Sequence, residues 1–475
     1  MTKQKELLYQ QIANDLEHQI SKSILKIGDK LPSLRTICVE KGVSLSTATQ
    51  SYLELESRGL IESRSRSGYF VSYSHGQFKE VPSVTKPLKT SSSDDPQAVI
   101  DVLIKNASKA KVLLSSGVPS VALLPVARLN KAMTQAMREL PDSGINYERL
   151  GNLKLRQQIA RRSSFWGGEL HPDEIVTTAG CMDALAFCVQ SVAQRGDTIA
   201  VESPLYFGIM QLARNLGLHV MELPTHPVTG VEIDALEKAM RVNKIKVCLL
   251  VTNFNNPFGS CMPASHKKAV VELLEKYNVP LIEDDLYGDL YFGNHRPLTC
   301  KSFDESGLVM YCSSFSKTLA AGYRVGWVAP GKFLDKVSRT KNYHSISCNA
   351  LAHAAVANFL ENERYDSHLR TLRQTLYRNT LQFQRCINDY FPAETRVSQP
   401  QGGFHLWVEF DKKVDTIDLY NKAIQHKISF TPGRLYTLQN QYNNCLRLST
   451  GVIWNNKMEE ALQLVGKLAN RLCAA

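Results

Sequence analysis

The chain has 475 residues, 43% of them hydrophobic, enough for roughly two to four domains and a large buried core. No run of about 18 or more apolar residues occurs and the opening MTKQKELLYQ is polar and helical in pattern, so no membrane span or secretion signal is read and cytoplasmic residence is expected. Eleven scattered cysteines without a Cys-x-x-Cys pair suggest neither a zinc ribbon nor a disulfide framework, while a formal charge of +11 permits a polyanionic partner without requiring one.

Residues 1–74 carry ten basic and eight acidic side chains, so any case for nucleic-acid binding rests on pattern. A first helix is expected from about Glu6 to Ser21, with Leu8, Ile12, Leu16 and Ile20 forming an apolar stripe. Gly28 and Asp29 turn the chain, and Pro32 with Ser33 opens a second, short helix that Gly42 stops. Ser44 caps a third helix running to about Arg58, with Ala48, Tyr52 and Leu55 inward and Gly59 ending it. The period then changes to two over Leu60–Ser63 and Tyr69–Ser72, a hairpin whose RSRSG tip carries Arg64 and Arg66. Two short helices joined by a glycine turn and followed by a hairpin make a winged helix-turn-helix; a three-helix packing module is the competing reading.

The stretch GDKLPSLRTICVEKGVSLSTATQSYLELESRGLIESRSRSGYFV resembles the GntR family of bacterial regulators. The resemblance implies that Arg35, after the LPS turn, and Ser44, Ser46 and Thr47, at the start of the third helix, face double-stranded DNA. It also implies that Gly68 lets the wing approach the minor groove with Arg64 or Arg66. Hydroxyls and helix N-termini suit phosphates, and arginine suits guanine or a narrow groove.

Residues 75–110 read as a flexible linker, rich in Ser, Thr, Pro and Lys, with a short helix expected from Gln97 to Lys109. Beyond it, strand-like runs (Thr198–Val201, Val247–Val251, Pro280–Ile282, Val309–Cys312, Val325–Val328) alternate with helical ones (Met182–Ala193, Phe207–Leu216, Ile233–Met240, Ala264–Tyr277). That alternation predicts an α/β domain with a mostly parallel sheet covered on both faces, its ligands beyond the carboxyl ends of the strands.

Chemistry-bearing residues fall at those strand ends. In SFSKTLAAGYRVGW, Lys317 sits among Ser313, Ser314 and Ser316 with Arg324 seven residues on; hydroxyls and an arginine suit a phosphate, and a lysine forms a Schiff base only once deprotonated. A solvated lysine after a strand is the alternative. Gly180 in TTAGCMDAL places the amides of Gly180, Cys181 and Met182 at a helix N-terminus fit for an anion. Tyr206 in ESPLYFG stacks on a flat ring or fills a core, and Asn256 stands before Pro257 in TNFNNPFGS. LIEDDLYGDL supplies Asp284 and Tyr287, and its two adjacent acids also raise a metal reading, although no histidine lies close.

Taken in order, these pieces resemble the aspartate-aminotransferase-like fold of pyridoxal-phosphate enzymes, fold type I, over residues 111–475, with a large mostly parallel-sheet domain and a smaller C-terminal α/β domain. The resemblance implies that Lys317 carries the cofactor as an internal aldimine, Asp284 pairs with the pyridine nitrogen, Asn256 and Tyr287 contact the phenolic oxygen, and Tyr206 stacks on the ring. Phosphate falls to Gly180, Cys181, Met182, Ser314, Ser316 and Arg324. Arg447 in NNCLRLSTG forks onto a substrate carboxylate, and SSGVPS at Gly117 and PQGGFHLW at Gly402 and Gly403 look like substrate-side turns. Tyr147 matches a tyrosine that reaches the phosphate of a neighbouring subunit, which implies a homodimer. One departure is AAG before Tyr323, where many relatives have a proline.

A GntR-type winged helix joined to such a domain is the layout of the MocR group of regulators. The expected function is a transcription regulator that senses pyridoxal phosphate or an amino compound. The rival is a working aminotransferase, amino acid to 2-oxo acid, with an appended DNA-binding domain; DNA binding with an empty core domain is a third.

Overall fold

Helices α1 (Leu8–Ser21), α2 (Leu34–Lys41) and α3 (Leu45–Ser57) open the chain. Ser33 accepts from the Thr36 amide at 3.1 Å and Ser44 from the Thr47 amide at 3.2 Å, so α2 and α3 each start at a hydroxyl cap. Gly42, at φ +62°, ends α2 in the left-handed region. Ile12, Leu16 and Ile20 pack with Ile37, Ala48, Tyr52 and Leu55 in one core. Strands β1 (Ile61–Arg64) and β2 (Gly68–Val71) pair antiparallel, and Val71 exchanges backbone bonds with Gly28 and Asp29, which ties the wing to the turn after α1. The computed structural model describes residues 7–22, 24–26, 28–64, 67–71, 79–87, 109–140, 142, 144–148, 151–242 and 244–474. The Arg64 side chain, Arg66 and the helix expected over 97–109, apart from its last residue, lie outside them.

The large unit is built on a seven-stranded sheet. In chain order its elements are β3 (Val176–Thr178), α4 (Cys181–Val192), β4 (Thr198–Glu202), α5 (Phe207–Asn215), β5 (His219–Leu223), α6 (Ile233–Val242), β6 (Ile245–Leu250), α7 (Ala264–Tyr277), β7 (Leu281–Asp284), β8 (Val309–Ser314) and β9 (Gly326–Ala329). The spatial order is β3-β9-β8-β7-β6-β4-β5, with β9 antiparallel to both neighbours and the pairs from β8 through β5 parallel. Apolar residues from α4, α5 and the strands fill one face, and those from α6 and α7 the other, as two-sided coverage requires.

Helix α8 (Tyr365–Tyr390) leads into a smaller unit: β10 (Arg396–Val397), β11 (His405–Glu409), β12 (Thr431–Pro432) and β13 (Cys445–Ser449) form an antiparallel sheet in the order β10-β11-β13-β12, backed by α9 (Asn456–Ala474).

Two contacts join parts that the sequence reading kept separate. Residues 79–87, inside the expected linker, lie against both lobes: Lys79 Nζ donates to the Pro392 carbonyl at 2.9 Å, the Val397 amide to the Glu80 carbonyl at 2.9 Å, and buried Thr85 donates to the Ser203 carbonyl at 2.8 Å. A segment that docks one residue at a time carries no periodicity, so its sequence shows no element. The winged helix also rests on α8, where Tyr377 Oη donates to the Arg58 carbonyl at 2.7 Å and Arg378 pairs with buried Glu56 at 2.8 Å. Leu381 lies where any Cβ on Gly59 would stand.

Candidate functional site

Parallel strands all point their carboxyl ends the same way, so the loops that follow β4, β6, β7 and β8 must meet along one edge. A cavity of about 280 Å³ opens there, lined by Tyr206 after β4, Asn256 after β6, Asp284 and Tyr287 from β7, and Ser314, Ser316 and Lys317 from β8. Cys181 and Met182, at the first turn of α4, and Arg324 close one side, and Gly117 the other. Gly402 and Gly403 are absent from that lining; they seat the Phe254 ring, which an added Cβ on Gly402 would meet at 2.7 Å. Tyr147 is exposed and is not part of this lining.

Lys317 Nζ donates to the Gly117 carbonyl at 2.7 Å. Burial, with the Arg447 cation second, pulls its pKa from 10.5 down to about 8, so a neutral amine is accessible near physiological pH. Asp284 accepts from the Leu286 amide at 3.2 Å and from the Cys181 thiol at 3.4 Å, and burial raises its pKa to about 6. A cation placed against it would restore the charged carboxylate. Asp285, the second acid of the pair, belongs to a different network: Arg296 binds it at 2.7 Å and Tyr311 Oη at 2.5 Å. Among the described residues no group of three or more His, Cys, Asp or Glu gathers as metal ligands would.

Where Arg324 meets the first turn of α4, just behind the Cys181 and Met182 lining, the chain packs closely. Gly180 caps α4 at φ +94°, and a Cβ there would run into the Arg324 guanidinium, its central carbon 2.7 Å away. Arg324 is held at φ +52°, a backbone region that non-glycine residues occupy at a cost and often at functional sites. Arg447 on β13 is outside that lining but bonded to it: it donates to the Ser115 carbonyl, to the Ser116 carbonyl at 3.3 Å, to Thr431 Oγ1 at 3.2 Å and to Asn256 Oδ1 at 3.4 Å. Its buried Nε has no partner among the described residues, and a planar carboxylate is the acceptor that a guanidinium edge fits best.

Comparison with known proteins places both parts. Residues 8–71 match the model for bacterial regulatory proteins of the gntR family, and residues 109–465 match aminotransferase class I and II. The uncharacterized HTH-type transcriptional regulators YjiR and YdcR of Escherichia coli are each 36% identical, YjiR over 98% of this chain and 99% of its own length. The chain belongs to the MocR-type HTH transcriptional regulators. The HTH-type transcriptional regulator NorG of Staphylococcus aureus is 26% identical over 91% of this regulator. Among solved structures, the multiple substrate aminotransferase from Thermococcus profundus superposes with a TM-score of 0.74 at 24% identity, covering 79% of this regulator and 95% of that chain. LysN from Thermus thermophilus, an alpha-aminoadipate aminotransferase complexed with N-(5'-phosphopyridoxyl)-L-leucine, gives 0.72 at 25% over the same shares.

In the regulator's DNA-binding unit, Arg35, Ser44, Ser46 and Gly68 are exposed and Thr47 half-buried. Ser44 Oγ lies 2.8 Å from Ser46 Oγ and 2.9 Å from Thr47 Oγ1, a hydroxyl cluster at the N-terminus of α3. Gly68, at φ +99°, makes the wing turn that a residue with a Cβ would strain.

The sequence reading missed several residues of the site. Cys181 was expected through its amide alone, yet its thiol reaches Asp284. Thr318, beside Lys317, is buried and bonded to α8: Tyr365 Oη donates to Thr318 Oγ1 at 2.9 Å and His368 Nε2 lies 2.7 Å from the Thr318 carbonyl. His405 stands behind Tyr287. No local signal marks any of them, because each contact joins residues far apart in the chain.

Proposed function

We propose that this DNA-binding regulator holds pyridoxal 5'-phosphate in the cavity beside Lys317, and that occupancy by the cofactor, or by an amino compound reacting with it, changes how the winged helix meets its operator. The close approach of Gly180 and Arg324, an Arg447 Nε that has no partner among the described residues, and the lowered Lys317 pKa support such a group. When bound, pyridoxal phosphate supplies an aldehyde that takes a primary amine and a ring that withdraws electrons. Lys317 is the residue for the tether and, when free, for moving a proton. Asp284 holds a positive charge at the ring nitrogen, Asn256 and Tyr287 face the phenolic oxygen, and Tyr206 covers the ring. The amides of Gly180, Cys181 and Met182, with Ser314, Ser316 and Arg324, receive the phosphate. Arg447 and Gly117 receive the carboxylate of an amino-acid effector, for which Arg447 must release the Ser115 and Ser116 carbonyls.

One observation carries the coupling. The 26 residues of α8 span about 39 Å at 1.5 Å per residue. Its first turn is bonded to Thr318, next to Lys317, and its fourth and fifth turns carry Tyr377, Arg378 and Leu381 against the winged helix. A ligand that rearranges the Lys317 loop therefore acts on one end of a rigid element whose middle holds the DNA-binding unit. Such a ligand shifts the DNA equilibrium only by its unequal affinity for the two arrangements. We further propose a homodimer in the cytoplasm, with Tyr147 of each subunit reaching the other's phosphate site and paired winged helices reading paired half-sites.

The test is fluorescence anisotropy with the regulator's own promoter region, with and without pyridoxal phosphate and a panel of amino acids. Lys317→Ala should still bind DNA but lose the response; an affinity unchanged by cofactor and every amino acid in the wild type would count against the proposal. The convergence of Lys317, Asp284 and Tyr287 on one cavity, with Arg447 bonded to Asn256 of its lining, also favours a second reading, retained transamination, which 2-oxo-acid formation from the same panel tests directly.

A further inference from the structure

Behind Tyr287, outside the cavity lining, His405 is fully buried on β11. Its Nε2 lies 3.3 Å from Tyr287 Oη, the two rings meet edge to face with centroids 5.4 Å apart, and its Nδ1 has no hydrogen-bond partner among the described residues. The charged groups around it are the Arg447 and Lys317 cations; burial first, then these cations, press its pKa well below 6.5, so the ring is neutral.

A neutral imidazole carries one N–H, and the two tautomers are not equivalent here. With the proton on Nδ1, a buried N–H would point at nothing, and Tyr287 would have to spend its own proton on Nε2. With the proton on Nε2, the N–H is satisfied by Tyr287 Oη, and only a lone pair on Nδ1 is left without a partner. Orphaned buried N–H groups are the rarer and costlier defect, so packing selects the second arrangement. Tyr287 Oη makes no other hydrogen bond among the described residues, so once its oxygen accepts from His405 its proton is free to turn toward the cavity that Tyr287 lines.

We propose that His405 is a positioning residue: its Nε2–H donates to Tyr287 Oη and so turns the Tyr287 proton into the cavity, toward the phenolic oxygen of the bound cofactor. The inference rests on the cofactor reading above. A proton donor at that oxygen favours its charged form, so loss of the donor shifts the pH midpoint of the cofactor's visible band upward.

The experiment compares the full-length protein loaded with pyridoxal phosphate as wild type, His405→Phe, Tyr287→Phe and the double variant. His405→Phe should raise the midpoint by about one pH unit, in the same direction as Tyr287→Phe, and the double variant should add nothing to Tyr287→Phe alone. A wild-type midpoint in His405→Phe, or additive shifts, overturns the proposal. If His405→Phe does not fold, His405→Leu replaces it in the titration, and the tautomer is read in the cofactor-free wild type by NMR of 15N-histidine-labelled protein, with the His405 signals assigned from the variant. A proton on Nε2 supports the proposal and a proton on Nδ1 overturns it. A wild type whose spectrum with cofactor equals that of Lys317→Ala would instead sink the cofactor reading, a separate and distinguishable failure.

Discussion

Attachment of an aldehyde at Lys317 requires a neutral amine, so its rate should report the proton equilibrium of that one buried group. The drop from 10.5 to about 8 leaves roughly one amine in ten neutral at pH 7, against roughly one in three thousand for an ordinary lysine. Burial is the larger cause and Arg447 the next, while Asp284 pulls the other way. When cofactor-free protein is mixed with pyridoxal phosphate from about pH 6 to 9.5 and the visible band is followed by stopped flow, the logarithm of the rate should rise with unit slope and level off near pH 8. Arg447→Met removes a cation that disfavours the ammonium, so the break should move up. Asp284→Asn removes an anion that favours it, so the break should move down. A wild-type rate still climbing at pH 9.5, or breaks that move the same way in both variants, would refute the electrostatic account.

Asp284→Asn should also stabilise the cofactor-free protein. The folded carboxyl titrates at about 6 instead of 3.8, so its favourable contribution is present below pH 3.8 and lost as pH rises through 6; removing the charge should raise stability above pH 6 by at most about 3 kcal/mol. Thermal melts at pH 7.5 check this, with cofactor titrations expected to show weaker binding in the same variant. Gly180→Ala combines the strain of a side chain at φ +94° with displacement of the Arg324 guanidinium, so cofactor affinity should fall about tenfold or more, read by absorbance titration. Gly59→Ala puts a methyl group where Leu381 lies and should loosen the winged helix from α8; limited proteolysis between the two units should speed up while the helical signal of each unit persists. Arg35→Ala should weaken promoter binding and lower its salt dependence by about one unit of slope if Arg35 meets a phosphate.

The amino-acid sequence determined the local elements. The stripe of Ile12, Leu16 and Ile20, the caps Ser33 and Ser44 and the stops Gly42 and Gly59 locate α1 to α3 within a residue or two, because side-chain period and capping act over a single turn. The same holds for β4, β6, β7 and β8, whose mostly apolar runs point to burial on both faces. Since parallel strands share one carboxyl edge, that pattern alone also brings Tyr206, Asn256, Asp284, Tyr287 and Lys317 near one another. Other elements gave less: β3, β10 and β12 are two or three residues long, and β5 mixes exposed His219 and buried Glu222 with its apolar residues.

Only the tertiary structure decided what each side chain faces. Residues 79–87 dock on both lobes, Gly402 and Gly403 back Phe254, and Asp285 is taken by Arg296 while its neighbour Asp284 meets the cavity. Thr318 and His405 gain their partners from chain segments roughly 50 and 120 residues away. Contacts over such separations leave no imprint on local composition, because they are fixed by how the sheet, α8 and the small lobe close on one another.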